Sequence, residues 1–230
     1  MDVLPQSSLF LGVIPALILM YITIKGYEGF YKDKVMFLSF VAGILMGFVA
    51  AFAQSLTIAI VLIYVVLLAF FNQMFKTIVL NIGRFQENKE TPIYGLSLGL
   101  GFGSSFTPFM IIALSSLAIN NVYVLLTVGI GSFGIILFHG ATGSFIGYGI
   151  FQGKLMKHLL VAILLELPFE FLIGLMIIYS KPEFLRMQIG FAFATILYGL
   201  VVYWYVTKKV LPQLLTKAEK RKRIKRKTKG

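Results

Sequence analysis

Four ionisable side chains stand inside apolar stretches of this sequence: Lys76, His139, Glu166 and Glu170. Such groups are costly to place in hydrocarbon, which makes each a candidate for function. Glu166 and Glu170 are one helical turn apart with Pro168 between them. Side chains at i and i+4 share a face, and the proline removes a backbone donor and favours a kink. Two ionised carboxylates so placed repel each other and call for a cation beside them: Lys76, a protonated His139 or a metal. Three readings stay open for the pair: an ion pair that holds helices in register, a path for protons or ions, or acid–base catalysis. Asn72, Gln73 and Lys76 lie at spacings of three and four and share one sector of another helix, where they could knot to a neighbour. Lys76 lies near the end of its stretch, so snorkelling of its ammonium to the headgroups is the expected role. His139, Glu166 and Glu170 form a possible three-ligand metal set if their helices face each other at one depth. His158 sits at the edge of an apolar stretch and reads as interfacial. The absence of cysteine excludes a disulfide framework, a thiolate metal site and a cysteine nucleophile. No serine has a recognisable base partner, and phosphate-cradling signatures are missing.

The elements that must position these groups follow from composition. Of 230 residues, 58% are hydrophobic and only 13% charged, against roughly 25% charged in an average soluble domain. Mean hydropathy is +0.89. Too few polar side chains exist to cover a water-soluble globule, and the apolar content is far above that of a disordered chain. A multi-pass protein of the cell membrane remains, with an all-α polytopic membrane helical bundle as its fold. Stretches of about 20 apolar residues mark membrane-crossing helices. About seven are expected, near 8–25, 35–54, 57–80, 92–117, 126–152, 158–180 and 184–207, with an eight-span count as the main rival. The stretch from Asn121 to Phe151 is too long for one upright helix, so it must tilt or rest its first residues at the interface. The start, MDVLPQSS, carries an acid and no base, so the first stretch is expected to be retained as a span rather than removed as a leader.

Lys and Arg concentrate on cytoplasmic loops. With the N-terminus outside, the inner segments hold 18 of the 21 basic residues and the outer ones only Lys181 and Arg186, with Lys76 inside a span. That asymmetry predicts an N-out, C-in bundle over residues 1–207. The basic cytoplasmic tail, 208–230, holds 11 of the bases. Tyr203, Trp204 and Tyr205 precede Lys208 and Lys209 as an interfacial belt. The tail holds the C-terminus in the cytoplasm and could touch anionic lipid or the ribosome. Without aromatic residues from Leu215 onward, base stacking has no support, and no sequence-specific nucleic acid is expected. Gly95, Gly99 and Gly103 recur every four residues in the fourth span, as do Gly43 and Gly47 in the second and Gly143 and Gly147 in the fifth. Such stripes let helices approach closely and place spans four and five near the centre.

With these positions in view, the chain resembles the PrsW family of membrane-embedded proteases, related to the prenyl-protein (CAAX) proteases and to the multispan scaffold subunit of gamma-secretase. The likeness covers about residues 9–175. LGVIPALILMYITIKGYEG is similar to the family's first span and its exit. AFFNQMFKTIVL is similar to the span carrying a Glu-Glu-x-x-Lys motif, and YGLSLGLGFGSSFT to the glycine-rich span ending in Glu-Asn. GSFGIILFHGATGSFIGYG is similar to the span with an arginine eight residues before a histidine. LLELPFEF is similar to the span of the His-Gly-x-x-Asp motif. The departures are systematic. The paired glutamates fall on Asn72 and Gln73, the Glu-Asn pair on Phe106 and Thr107, and the arginine on Gly131. The second histidine falls on Glu166 and the aspartate on Glu170, while Lys76 and His139 are kept. Activating water for peptide cleavage needs a base or a metal, and an amide or a phenyl ring supplies neither. The resemblance therefore implies a degenerate, non-catalytic member that binds or stabilises other membrane proteins through an intramembrane polar cleft. His139, Glu166, Glu170, Asn72, Gln73 and Lys76 would line that cleft. The alternatives are an active intramembrane metalloprotease using His139, Glu166 and Glu170, under which alone zinc is expected, and a proton- or ion-coupled transporter. The last lacks the internal symmetry such folds show.

Overall fold

Apolar runs interrupted by short polar turns become helices, because a backbone shielded from water must satisfy its own hydrogen bonds. The computed structural model describes residues 3–57, 61–83, 88–111, 122–179 and 182–215, all helix and turn with no strand among them. The helices are α1 (Val3–Ile24), α2 (Asp33–Thr57), α3 (Val61–Leu80), α4 (Thr91–Ser104), α5 (Val122–Phe151), α6 (Leu155–Ile178) and α7 (Leu185–Tyr205). Arg84, the Asn120–Asn121 turn, Lys181 and the tail from Thr216 onward lie outside the described residues. Four described stretches are long and apolar enough to cross a membrane: Asp33–Gln54, Leu126–Phe151, Leu155–Ile178 and Leu185–Leu214.

The bundle is built around α4. All 14 of its residues are buried, and its small residues are the reason. A methyl group on Gly99 would collide with the backbone carbonyl of His139 in α5, and one on Gly95 with that of Gly143. On another side, Gly43 and Gly47 of α2 meet the carbonyls of Leu98 and Phe102. The glycine stripes thus bring three helices to backbone contact. Helix α3 leans on α6, and α6 and α7 close against α5. The side chains of Thr23 and Tyr203 share a hydrogen bond that ties α1 to α7.

The expected fourth span, 92–117, is not one continuous helix. It is interrupted at Ser105 and is helical again over 106–111. Ser104 Oγ donates to Gly101 O and Ser105 Oγ to Phe102 O, each at 2.7 Å. These side chains take up carbonyls that the helical ladder would otherwise use. By contrast, α5 runs unbroken for 30 residues, about 45 Å at 1.5 Å per residue. It stops at Gly153, whose φ of 66° is a left-handed value suited to a residue without Cβ. There the Lys154 amide bonds Gly149 O, and the chain reverses into α6. Beyond α7 a π-helical turn (Val206–Val210) and a 3-10 turn (Leu211–Leu214) fold under the bundle, with Val206, Val210, Leu211 and Leu214 buried. Tyr148 donates to Gln213 Oε1 and fastens that segment to α5.

Candidate functional site

Five of the six polar residues singled out by their spacing meet in one network between α3, α5 and α6. Asn72 uses its two amide hydrogens on the two acids: Nδ2 donates to Glu166 Oε1 at 2.9 Å and to Glu170 Oε1 at 2.8 Å. One turn further along α3, Lys76 Nζ donates to Thr142 Oγ1 at 2.7 Å. The same nitrogen lies 3.1 Å from His139 Nδ1 and 4.0 Å from Glu166 Oε2. An ammonium has no lone pair, so His139 Nδ1 is the acceptor and the ring proton sits on Nε2. His139 Nδ1 is 3.8 Å from Glu166 Oε1. Gln73 is the residue left out: it is fully buried, yet neither of its side-chain polar atoms has a hydrogen-bond partner among the described residues.

The burial of this cluster corrects one expectation. Lys76 does not snorkel. It is 1% exposed, because α3 turns the face that carries it inward, where Thr142, His139 and Glu166 wait. None of the six residues exceeds 1% exposure. The reason is aromatic. Phe106 stacks on the His139 ring at 5.5 Å and Phe102 meets it edge-on at 4.8 Å. Phe138 and Phe169 close the other sides. The Lys76 ammonium also lies over the Phe102 ring, 5.4 Å from its centroid, a distance at which the ring face attracts a cation.

Metal-binding geometry is partly present. Each of His139, Glu166 and Glu170 offers a donor atom, and the three atoms lie within 4.8 Å of one another. Zinc holds such atoms at about 2.0–2.2 Å from itself, so the set would have to contract. Among the described residues, Oε2 of each glutamate and Oδ1 of Asn72 have no hydrogen-bond partner, which leaves acceptor capacity for an ion or a water molecule, and the Nε2 proton of His139 is likewise unmet. Against this, the Lys76 ammonium already stands beside His139 Nδ1 and supplies the positive charge that a metal would bring.

Thr142 was missed in the sequence although it shares a helix face with His139 at i+3. Threonine inside an apolar helix normally bonds its own backbone, and Thr142 does so as well, to Phe138 O at 3.1 Å. The sealing phenylalanines carry no signal in a chain with 22 of them. His158, read as interfacial, is 8% exposed, with Nδ1 2.9 Å from Lys154 O at the start of α6. Next to the cluster, a groove of about 560 Å³ opens between α1, residues 106–111, α5 and α7, lined by Leu11, Pro15, Thr107, Ile130 and Phe133 among others.

Compared with protein-family models, curated proteins and solved structures, the chain finds no match.

Proposed function

We propose that this chain is a seven-span membrane protein, N-terminus outside and basic tail in the cytoplasm, with a PrsW-like architecture that no longer cleaves peptides. Its role is to bind and stabilise other membrane proteins. The observation that carries this reading is the position of Lys76. Its ammonium caps His139, inside a compartment that the solvent does not reach. Water activation needs a base with access to water. Here the base is capped, its neighbours are phenyl rings, and the acids are held by Asn72. The cluster then acts as a clamp that sets the register of α3, α5 and α6. Partner contact falls to the lateral faces, with the groove beside Thr107 shaped for the side chains of a neighbouring apolar helix. Reconstituted full-length protein is expected to leave transmembrane peptides intact. Cleavage that disappears on His139→Ala would overturn the proposal.

One observation favours a second reading, an active metalloprotease: the three donor atoms within 4.8 Å. Under it, His139, Glu166 and Glu170 hold zinc, which when bound polarises a carbonyl and acidifies water, and Lys76 withdraws from His139. Stoichiometric zinc in purified protein, lost in Glu166→Gln, supports that reading. Metal-free protein whose melting temperature is unmoved by chelator counts against it.

A further inference from the structure

A second groove runs along the outer face where α5, α6 and α7 meet. It holds about 420 Å³, within the roughly 300–1,000 Å³ of small-molecule sites. Phe145, Val161, Leu165 and Val201 give it an apolar wall, and Trp204 and Tyr205 flank it with 56% and 52% of their surface exposed. Its axial extent follows from helix rise. Leu165 lies about 15 Å along α6 from Leu155, and Thr142 about 14 Å back along α5 from Phe151, at 1.5 Å per residue. The lining on these two helices, from Phe145 and Val161 to Thr142 and Leu165, therefore lies about 9–15 Å in from the end of the bundle where α5 stops and α6 starts, the inner part of one half of a hydrocarbon core of roughly 30 Å. The floor of the groove thus lies about one lipid leaflet deep.

The mouth is cationic. Lys157 precedes Val161 by one turn of α6, and Lys208 and Lys209 follow Trp204 and Tyr205 by one turn. All three lysines are exposed. Tryptophan and tyrosine settle at headgroup level, which places the lysines where a phosphate would lie. An apolar slot with its floor one leaflet deep, flanked by Trp204 and Tyr205 and with three exposed lysines one turn beyond its lining, has the chemistry of a lipid with a negative headgroup. We propose that this groove binds one anionic phospholipid. Its acyl chain lies along Val161, Leu165 and Val201, and its phosphodiester is held by Lys157, Lys208 and Lys209. Thr142, which accepts from Lys76, also lines the groove, so the acyl chain lies against a residue of the buried cluster.

Trp204 is the sole tryptophan of the chain and serves as the probe. The full-length protein is placed in phosphatidylcholine vesicles and titrated with phosphatidylglycerol carrying brominated acyl chains, or with brominated phosphatidylcholine at equal mole fractions. The anionic lipid is expected to reach half-maximal quenching at a mole fraction about fivefold lower or better, since each lysine near an anionic surface contributes about that factor. The combined variant Lys157→Gln, Lys208→Gln and Lys209→Gln alters only exposed side chains and keeps the tail bases from Lys217 onward. It is expected to abolish the preference. Val201→Phe fills the groove with the lysines intact and is expected to lower maximal quenching by the anionic lipid. Equal quenching by both headgroups overturns the proposal. So does a preference that survives the triple substitution, which would assign it to the tail. Quenching that stays low with both lipids means that a partner helix covers the groove, and overturns it as well.

Discussion

Replacing Lys76 with methionine keeps the length and the apolar stem of the side chain and deletes its charge. Three interactions vanish: the hydrogen bond to Thr142 at 2.7 Å, the one to His139 at 3.1 Å and the attraction to Glu166 at 4.0 Å. At 4.0 Å and an effective dielectric of about 20, that attraction is about 4 kcal/mol before the cost of desolvating the ammonium is set against it. The large penalty arises from what remains, because Glu166 and Glu170 are left facing each other without their cation. Removing one partner of a buried pair costs about 3–5 kcal/mol, whereas removing both charges is often near neutral. Lys76→Met is therefore expected to destabilise by about 3–5 kcal/mol. Lys76→Met combined with Glu166→Gln is expected to cost less than the sum of the single substitutions by at least about 1.5 kcal/mol, as residues in one network do. Denaturant titration in detergent micelles, followed by Trp204 fluorescence, measures all three variants on one scale. A Lys76→Met protein within about 0.5 kcal/mol of the parent, or strict additivity of the two changes, would refute the clamp.

Gly99→Ala drives a methyl group into the His139 carbonyl and is expected to cost about 3 kcal/mol, the upper end for overpacking. Gly129→Ala and Gly190→Ala, which meet nothing within 4 Å, are expected to be neutral or to stabilise by up to about 1 kcal/mol through helix propensity. Melting temperatures of the three variants side by side decide between them. Thr23→Val and Tyr203→Phe each break the bond between α1 and α7 and leave a buried partner unmet, at about 1–3 kcal/mol apiece. The double variant is expected to be closer to the parent than either single one, a comparison made by the same denaturant titration. Phe106→Ala removes the ring stacked on His139 and is expected to lose about 3–5 kcal/mol as a core cavity. A smaller loss, with new solvent accessibility of His139 by hydrogen–deuterium exchange of the ring, would mean that water enters where the ring stood.

Helix positions were readable because length and apolarity decide them. The stretches 35–54, 158–180 and 184–207 fall inside or within a few residues of α2, α6 and α7. The glycine stripes were readable for the same reason, since a four-residue repeat has one geometric meaning on a helix. The interruption at Ser105 was not, because two serines in a glycine-rich run give no notice that their hydroxyls will bond carbonyls three residues back. At the cluster, spacing put Asn72 on the same face as Lys76, and Glu166 on that of Glu170. What spacing could not give was depth and rotation. Whether Lys76 turned inward or ran to the headgroups depended on how α3 rolls against α6, which is settled by packing over many apolar residues. Gln73 shows the same limit: its neighbour Asn72 found both acids and it found none.

Consider finally the helix at the centre. Every residue of α4 is covered by protein, so in the finished molecule it touches no lipid. Ribosomes, however, deliver chains in order, and α5, which covers its stripe of Gly95, Gly99 and Gly103, is synthesised after it. During biogenesis the axle of the bundle must wait with one flank bare, held by α1, α2 and α3. Assembly is thus ordered in time, and the vulnerable moment falls between the appearance of the fourth helix and that of the fifth.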